Sequence, residues 1–402
     1  MKTVSSPAFL TAREAAAELS VSLATLYAYV SRGLVRSEPV GDGRARRYRA
    51  DDIRALRTRR RSSGAVQPSA EAAIPVLDTT IATITEAGPV YRGVPAVALA
   101  EAATVEQAAT LLWDARRADP FDTTNMPVLD DAMRAIFAAA REAKPLPRAI
   151  AVLALAGDAD PRAHNRSAEG RAATGARVMR LVTAAILGTA PSPLPIHRQV
   201  ARAWAKDHPA AEDLLRRALV LLADHELNAS TWTARCAAST GVSLYDAVIV
   251  GLAALKGPRH GGAGPLAARM VAEFGDDDVA VQIADRVALG EPIPGFGHTV
   301  YVDGDPRADV LLRALSAAGA DARLVADVPR FVTEATGLYP NIDYALAVLM
   351  RTLGLPVGHE MALFAIARTS GWIAHAIEQL HSGILIRPRA RYVGPEAGRA
   401  GG

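Results

Sequence analysis

From residue 76 onward, apolar residues recur at intervals of three and four, and clusters of glycine and proline close each stretch. That period belongs to helices, not strands. The stretches fall around 104–116, 127–143, 146–156, 168–187, 198–206 and 210–224, with Pro191 to Pro195 a typical break. Amphipathic helices of this kind bury their apolar faces against one another, which restricts the chain to a mainly α fold. Composition supports it. Half of the 402 residues are hydrophobic, alanine is abundant and aromatics make up only 5%, a mixture rich in helix formers and sufficient for a large core. The body is expected to open as a helix from Asp78 to Glu86. Gly88-Pro89-Val90-Tyr91-Arg92-Gly93 then reads as a turn. The length leads to the expectation of two or three domains.

The first 61 residues differ in charge. They carry a balance of +7 against −4 for the rest, and a basic head on a mildly acidic body points to an anionic partner. Thr11-Ala12-Arg13-Glu14 has capping-box spacing. Ser22 caps a second helix, which Gly33 ends. Val40-Gly41-Asp42-Gly43-Arg44 is a tight turn with Arg46, Arg47 and Arg49 behind it, as in a hairpin wing. Asp51-Asp52 starts a third helix. Residues 62–75 form a linker of small residues closed by proline, the body is expected over 76–395, and 396–402 form a tail.

Cys236 is the only cysteine, so an intrachain disulfide is impossible and a reducing compartment fits. Met1 to Pro7 carries no apolar signal core. The longest apolar runs, such as Ala149 to Gly157, are too short to cross a bilayer. The expectation is a cytoplasmic protein with no membrane contact.

Nine histidines are available. His260 lies in Lys256-Gly257-Pro258-Arg259-His260-Gly261-Gly262-Ala263, where Gly257-Pro258 stops the helix Leu244 to Leu255 and the Gly-Gly pair frees the backbone to approach a ligand. A surface loop with a stray histidine would read the same way. His225 ends an apolar helix, and His298 sits in the turn Pro294-Gly295-Phe296-Gly297-His298. His375 lies on an apolar helix and reads as a core residue. Asp343 stands at the start of the apolar helix Ala345 to Leu353, either as an N-terminal cap or as a desolvated base. Arg307, Arg368, Arg387 and Arg389 supply guanidiniums that could grip carboxylates bidentately.

In order and spacing, residues 76–395 resemble citrate synthases. The matching segments include Asp224-His225-Glu226-Leu227-Asn228-Ala229-Ser230, the octamer around His260, Pro294 to His298, Asp305-Pro306-Arg307-Ala308, Pro340-Asn341-Ile342-Asp343, Ala367 to His375 and Ile386 to Gly394. The head resembles the winged helix-turn-helix domains of MerR-type regulators and phage excisionases through Leu10 to Ala16, Ser22 to Tyr27, Arg32-Gly33-Leu34-Val35 and Arg47-Tyr48.

These resemblances imply a winged helix-turn-helix followed by an all-helical, two-domain synthase fold. Its large part would be about 76–229 and 346–395. Its small part, about 230–345, would close over it. They imply condensation of acetyl-CoA with oxaloacetate, the CoA thioester being a substrate, with no cofactor and no metal. Asp343 would take the α-proton, His260 would hold the enol or enolate, and His298 would polarise the ketone. His225, Arg307, Arg368 and Arg387 would hold the carboxylates, with Arg387 supplied by the partner subunit of a homodimer. In the head, Ser22, Thr25, Tyr27 and Tyr29 would face a duplex DNA groove, and Arg44, Arg46 and Arg47 would meet phosphates. Two alternatives stay open: a 2-methylcitrate synthase using propionyl-CoA, and a metabolite-sensing transcription regulator built on a synthase body. Two features depart from the family pattern. Thr299 to Asp305 contains no basic residue where many members carry one for the CoA phosphates, and the basic head stands where some bacterial members have amino-terminal strands.

Overall fold

The computed structural model describes residues 9–19, 30, 35–39, 46–50, 52–53, 77–115, 117–274, 279–390, 392 and 394. The chain divides into two compact units, Met1–Leu77 with Pro388–Gly402, and Asp78–Arg387.

In the first unit, Arg46–Arg49 is the central strand of a three-stranded antiparallel sheet. Ser37–Pro39 pairs with it as the hairpin wing, and Phe9–Leu10 adds a strand on the other side. The helix Ala12–Leu19 begins as its sequence dictates: Thr11 N–H donates to Glu14 Oε2 at 2.8 Å, and Glu14 N–H donates back to Thr11 Oγ1 at 3.3 Å. Tyr48 turns inward against Ala15, Ala16, Val35 and Ile53, strand alternation puts Arg47 on the opposite face, and Arg46, at the start of the strand, is exposed as well. Arg47 pairs with Glu38 at 3.0 Å and lies over the Phe9 ring. Arg46 donates to Ser37 Oγ at 2.8 Å. The recognition positions Ser22, Thr25, Tyr27 and Tyr29, and the wing-turn Arg44, lie outside the described residues.

The second unit is mainly helical. The helix Ala168–Leu187 has the expected bounds, as does Leu244–Leu255, which stops before Gly257-Pro258. Its opening departs from the helical expectation. Ala82–Thr85, Gly88–Tyr91 and Val94–Pro95 form an antiparallel sheet. The cause is local: Ile81, Thr83, Ile84 and Thr85 are β-branched, and Gly88 turns the chain at φ +107. This sheet has a structural duty. The buried Tyr91 Oη lies 3.1 Å from the carbonyls of Val220 and Asp224 and accepts Asp224 N–H at 3.2 Å. It thereby gathers the free groups at the end of the helix Ala211–Leu221 and fixes the segment that follows.

At the centre runs the last helix, His359–Ser382, buried on every side from Ala365 to Ala376. An all-round buried helix needs small residues where its neighbours cross, and glycines provide them. Trp372 packs on Gly251 and Ile373 on Gly175. Gly371 N–H donates to Ala223 O at 3.1 Å. A Cβ at Gly371 would stand 2.6 Å from that oxygen and 2.3 Å from Asp224 Oδ2. Since a backbone oxygen cannot swing away, Gly371→Ala should lower stability by about 1–3 kcal/mol, the range for overpacked cores. A thermal-unfolding comparison checks this, and an unchanged midpoint would show that the crossing tolerates a methyl group.

Candidate active site

Three chain segments and the last helix bring the candidate residues to one cavity of about 180 Å³. The first is the bend after Leu221. Asp224 is fully buried and accepts Glu226 N–H on Oδ1 at 2.9 Å, while Glu226 itself takes a left-handed φ of 55. Asn228 then caps the helix Ala229–Ala238 by accepting Thr231 N–H at 3.0 Å. Between these two fixed points His225 faces the cavity, its Nε2 3.0 Å from Tyr301 Oη.

The second segment is the glycine-rich octamer. Its glycines serve the turn itself. A Cβ at Gly261 would lie 2.2 Å from Leu255 O, and one at Gly262 would lie 2.5 Å from Pro258 O. The close backbone approach expected toward a ligand is thus first an approach of the chain to itself. The turn presents His260, whose Nε2 lies 2.7 Å from Ser230 Oγ. That oxygen also accepts Trp372 Nε1–H at 3.1 Å. Burial, reinforced by Arg368, pushes His260 down to about 4, so the imidazole is neutral at pH 7. The helix Ala263–Glu273 starts just beyond it, but desolvation is the larger cause.

The third segment runs from Pro294 to Asp343. Gly297 N–H donates to Tyr339 O at 2.8 Å, Asn341 N–H to Gly295 O at 2.8 Å, and Asn341 Nδ2–H to Gly297 O at 2.9 Å. Only glycine fits at position 295, where φ is +85 and a Cβ would meet Tyr344 backbone at 3.0 Å. These bonds tie the loop of His298 to the helix Ile342–Thr352 that carries Asp343. Nδ1 of His298 accepts Val300 N–H at 3.0 Å and Tyr301 N–H at 3.3 Å. Because burial and Arg307 lower its basicity, the single proton of the neutral ring belongs on Nε2, which is left free as a donor. Burial, with Arg307 and Arg368, likewise holds His225 far below the usual range.

The cap of the Asp343 helix is Asn341, not the aspartate: Asn341 Oδ1 accepts Asp343 N–H at 2.9 Å. That frees the Asp343 carboxylate to line the cavity. Desolvation pushes it up to about 6, with Asp305 and Glu360 adding to the shift and Arg307 and Arg368 opposing it. Two guanidiniums reach the same cavity. Arg307 is buried and paired with Asp305, Nε to Oδ1 at 3.0 Å and Nη2 to Oδ2 at 2.8 Å. Asp305 Oδ2 also accepts Ile342 N–H at 3.0 Å. Arg368 is 1% exposed; its Nε donates to Leu222 O at 2.8 Å, and its Nη1 is buried with no partner. Burial lowers Arg368 to about 10, opposed by Asp224, so it stays charged at pH 7.

The structure therefore gathers His225, His260, His298, Arg307, Asp343 and Arg368. Arg387 is not among them, being exposed beyond the last helix. His375 is a core residue as expected, 3.3 Å from the equally buried Asp224. Ser230, Tyr301 and Glu360 at or beside the cavity carried no signal of their own, since nothing in their local spacing distinguishes them from packing residues. The Tyr301 ring lies 4.7 Å from that of His298 and 5.6 Å from that of His225. A larger hollow of about 620 Å³ opens beside Glu106, Phe121 and Arg180, but none of these convergent groups lines it. Among the described residues, no three His, Cys, Asp or Glu side chains stand together as a metal site would need.

The helical body thus holds a cavity lined by histidines and arginines around a destabilised carboxylate, and comparison with known proteins names the class. A sequence profile of the citrate synthase C-terminal domain matches residues 71–389, and the chain belongs to the citrate synthase family. A helix-turn-helix domain profile matches residues 9–61. The chain is 38% identical over 195 residues to citrate synthase 2 of Bacillus subtilis, covering 47% of this chain and 52% of that protein. It is 42% identical over 193 residues to citrate synthase of Saccharolobus solfataricus, covering 45% and 51%. To 2-methylcitrate synthase 1 of Corynebacterium glutamicum it is 35% identical over 196 residues, covering 46% and 51%. The chain thus matches about half the length of these curated relatives. Among solved structures, Thermotoga maritima citrate synthase superposes with a TM-score of 0.67 at 27% identity, covering 83% of this chain and 98% of that one. A citrate synthase of Thermoplasma acidophilum, solved as a ternary complex with carboxymethyl coenzyme A and oxaloacetate, gives 0.64 at 25% identity, covering 84% and 99%.

The raised Asp343 carries a stability consequence. Its folded value of about 6 exceeds the ordinary 3.8. Its contribution is therefore fully present below the unfolded value and lost as pH rises through about 6. Asp343→Asn should unfold at a higher temperature than the parent at pH 8, and the advantage should shrink as pH falls toward 4. An advantage independent of pH would mean that Asp343 is not the strained carboxylate.

Proposed function

We propose that the body condenses acetyl-CoA with oxaloacetate and water to give citrate and CoA. The observation that carries this is the meeting of the elevated carboxylate of Asp343 with the imidazoles of His225, His260 and His298, all driven toward the neutral form, and the unpartnered Nη1 of Arg368 in one cavity. Asp343 removes a proton from the acyl α-carbon. The developing enolate oxygen takes a hydrogen bond from the neutral ring of His260, which Ser230 Oγ holds by its Nε2 at 2.7 Å. His298 Nε2–H polarises the ketone, the enolate carbon attacks it, and His298 gives its Nε2 proton to the forming alkoxide. Arg368, Arg307 and His225 hold the two carboxylates, with Arg387 of a partner subunit completing the grip. Pre-placed charge of this kind acts without solvent reorganisation. Closure of residues 230–345 over the rest of the body keeps water out until the thioester is hydrolysed.

Release of free CoA thiol from acetyl-CoA plus oxaloacetate tests the reading. Asp343→Asn should lower kcat by about a hundredfold or more while the fold persists, a typical general-base contribution. Near-parental turnover in a folded Asn variant would remove Asp343 from the mechanism. Similarity to 2-methylcitrate synthases favours a second reading with propionyl-CoA, since one methylene in an acyl pocket discriminates by only about 1–3 kcal/mol. Parallel assays with both thioesters rank the two.

The head, in this proposal, binds duplex DNA, supported by its helix-turn-helix match and its +7 charge. A dimeric body would present two heads to a palindromic site. Full-length protein should bind duplex with a steep salt dependence, and joint replacement of Arg46 and Arg47 by Ala should flatten the salt slope for all sequences alike. Gel-shift titration at two salt concentrations decides it, and absence of binding at low salt would exclude a DNA role.

A further inference from the structure

The proposed mechanism leaves one buried group in the cavity unused. Glu360, at the start of the last helix, is 1% exposed and lines the same cavity as Asp343. Its carboxylate accepts hydrogen bonds from Gly358 N–H at 3.0 and 2.9 Å, and among the described residues no arginine or lysine forms an ion pair with it. A structural cap would sit at the surface, where water shares the charge. This one is driven inward, and burial pushes its proton affinity up.

Glu360 and Asp343 share a glycine as neighbour. A Cβ at Gly264 would meet Glu360 Cγ at 3.1 Å and Asp343 Oδ1 at 3.6 Å. The two side chains stand beside the same point of the helix Ala263–Glu273 from two other helices. The charged groups facing this pair are Arg307 and Asp305 from the helix Pro306–Ala317 and its cap, Arg368 along the last helix, and His359 beside Glu360. Arg307 is already committed to Asp305. Arg368, which has no carboxylate partner among the described residues, is the other cation acting on Asp343, and His260 beside the cavity is neutral at pH 7.

We propose that Glu360 is a positioning residue for the base: a second buried carboxylate that repels the Asp343 charge and so makes Asp343 a stronger proton acceptor. Two carboxylates with little access to water resist ionising together, and they titrate as a pair. Removing the α-proton then relieves that repulsion, because Asp343 becomes neutral as the negative charge passes to the substrate oxygen held by His260. The inference rests on the reading of Asp343 as the base, but the coupling of the two carboxylates can be measured without turnover.

The test is a double-mutant cycle in the full-length protein with Asp343→Asn, Glu360→Gln and both together. At pH 8 each single change should raise the thermal midpoint, and the double variant should gain less than the sum. At about pH 4, where both groups are protonated, the non-additivity should vanish. Additive midpoints at pH 8 would overturn the proposal. In CoA release, the acid limb of kcat/KM for Glu360→Gln should move to lower pH by roughly half a unit or more, with a severalfold lower plateau kcat as the base weakens. An unmoved limb would also overturn it. If Glu360→Gln does not fold, Glu360→Met, of similar reach and uncharged, takes its place in both measurements. If the parent protein releases no CoA from either thioester, the functional reading fails, while the midpoints still decide whether the two carboxylates are coupled.

Discussion

Arg368 holds its charge inside the stretch of the last helix that is buried on every side, one hydrogen bond spent on Leu222 O and Nη1 left without a partner. A buried guanidinium half satisfied is expensive, because desolvation penalises the charged form. The surroundings are arranged to tolerate it. Asp224 supplies negative charge, Tyr91 and Gly371 pin the chain on either side of Asp224, and the Phe364 ring lies 4.5 Å from the guanidinium. The remaining deficit faces the cavity, where an anionic substrate would relieve it. The packing glycines, the sheet that opens the body and the strained Glu226 all serve to hold this arrangement.

The same dry, positive setting sorts the other ionisable groups. Burial and the two arginines drive His225, His260 and His298 toward the neutral form, while burial drives Asp343 toward the protonated one. Environments that push a carboxylate up and imidazoles down define which group accepts a proton and which groups donate hydrogen bonds. At neutral pH Asp343 is largely ionised yet close to its own midpoint, as a general base should be. The rings act as oriented donors, not as cations.

Much of this was legible in the sequence, and the remainder was hidden for identifiable reasons. Helical period and glycine-proline punctuation gave the helices Ala168–Leu187 and Leu244–Leu255 their bounds, because each stop lies in the local chain. The same rules misjudged residues 82–91, where β-branched residues and the turn at Gly88 outweigh any helical spacing. The histidines, Asp343, Arg307 and Arg368 could be named from motif order. Their partners could not: Ser230 reaches His260 across 30 residues, Tyr301 reaches His225 across 76, and Glu360 comes beside Asp343 in the cavity next to Gly264. Pairings made by tertiary packing leave no local pattern. Arg387 shows the opposite case, a motif residue that a single chain leaves outside the cavity.

The most direct test of the account asks whether Asp343 moves the α-proton. Acetyl-CoA deuterated at its methyl group can be incubated in light water with the full-length protein and malate, which fills the carboxylate sites but offers no ketone to attack. Mass spectrometry then follows loss of deuterium from the thioester. The account predicts exchange with the parent protein, abolished in Asp343→Asn and weakened as pH falls below about 6. Exchange at the parental rate in a folded Asn variant would contradict it.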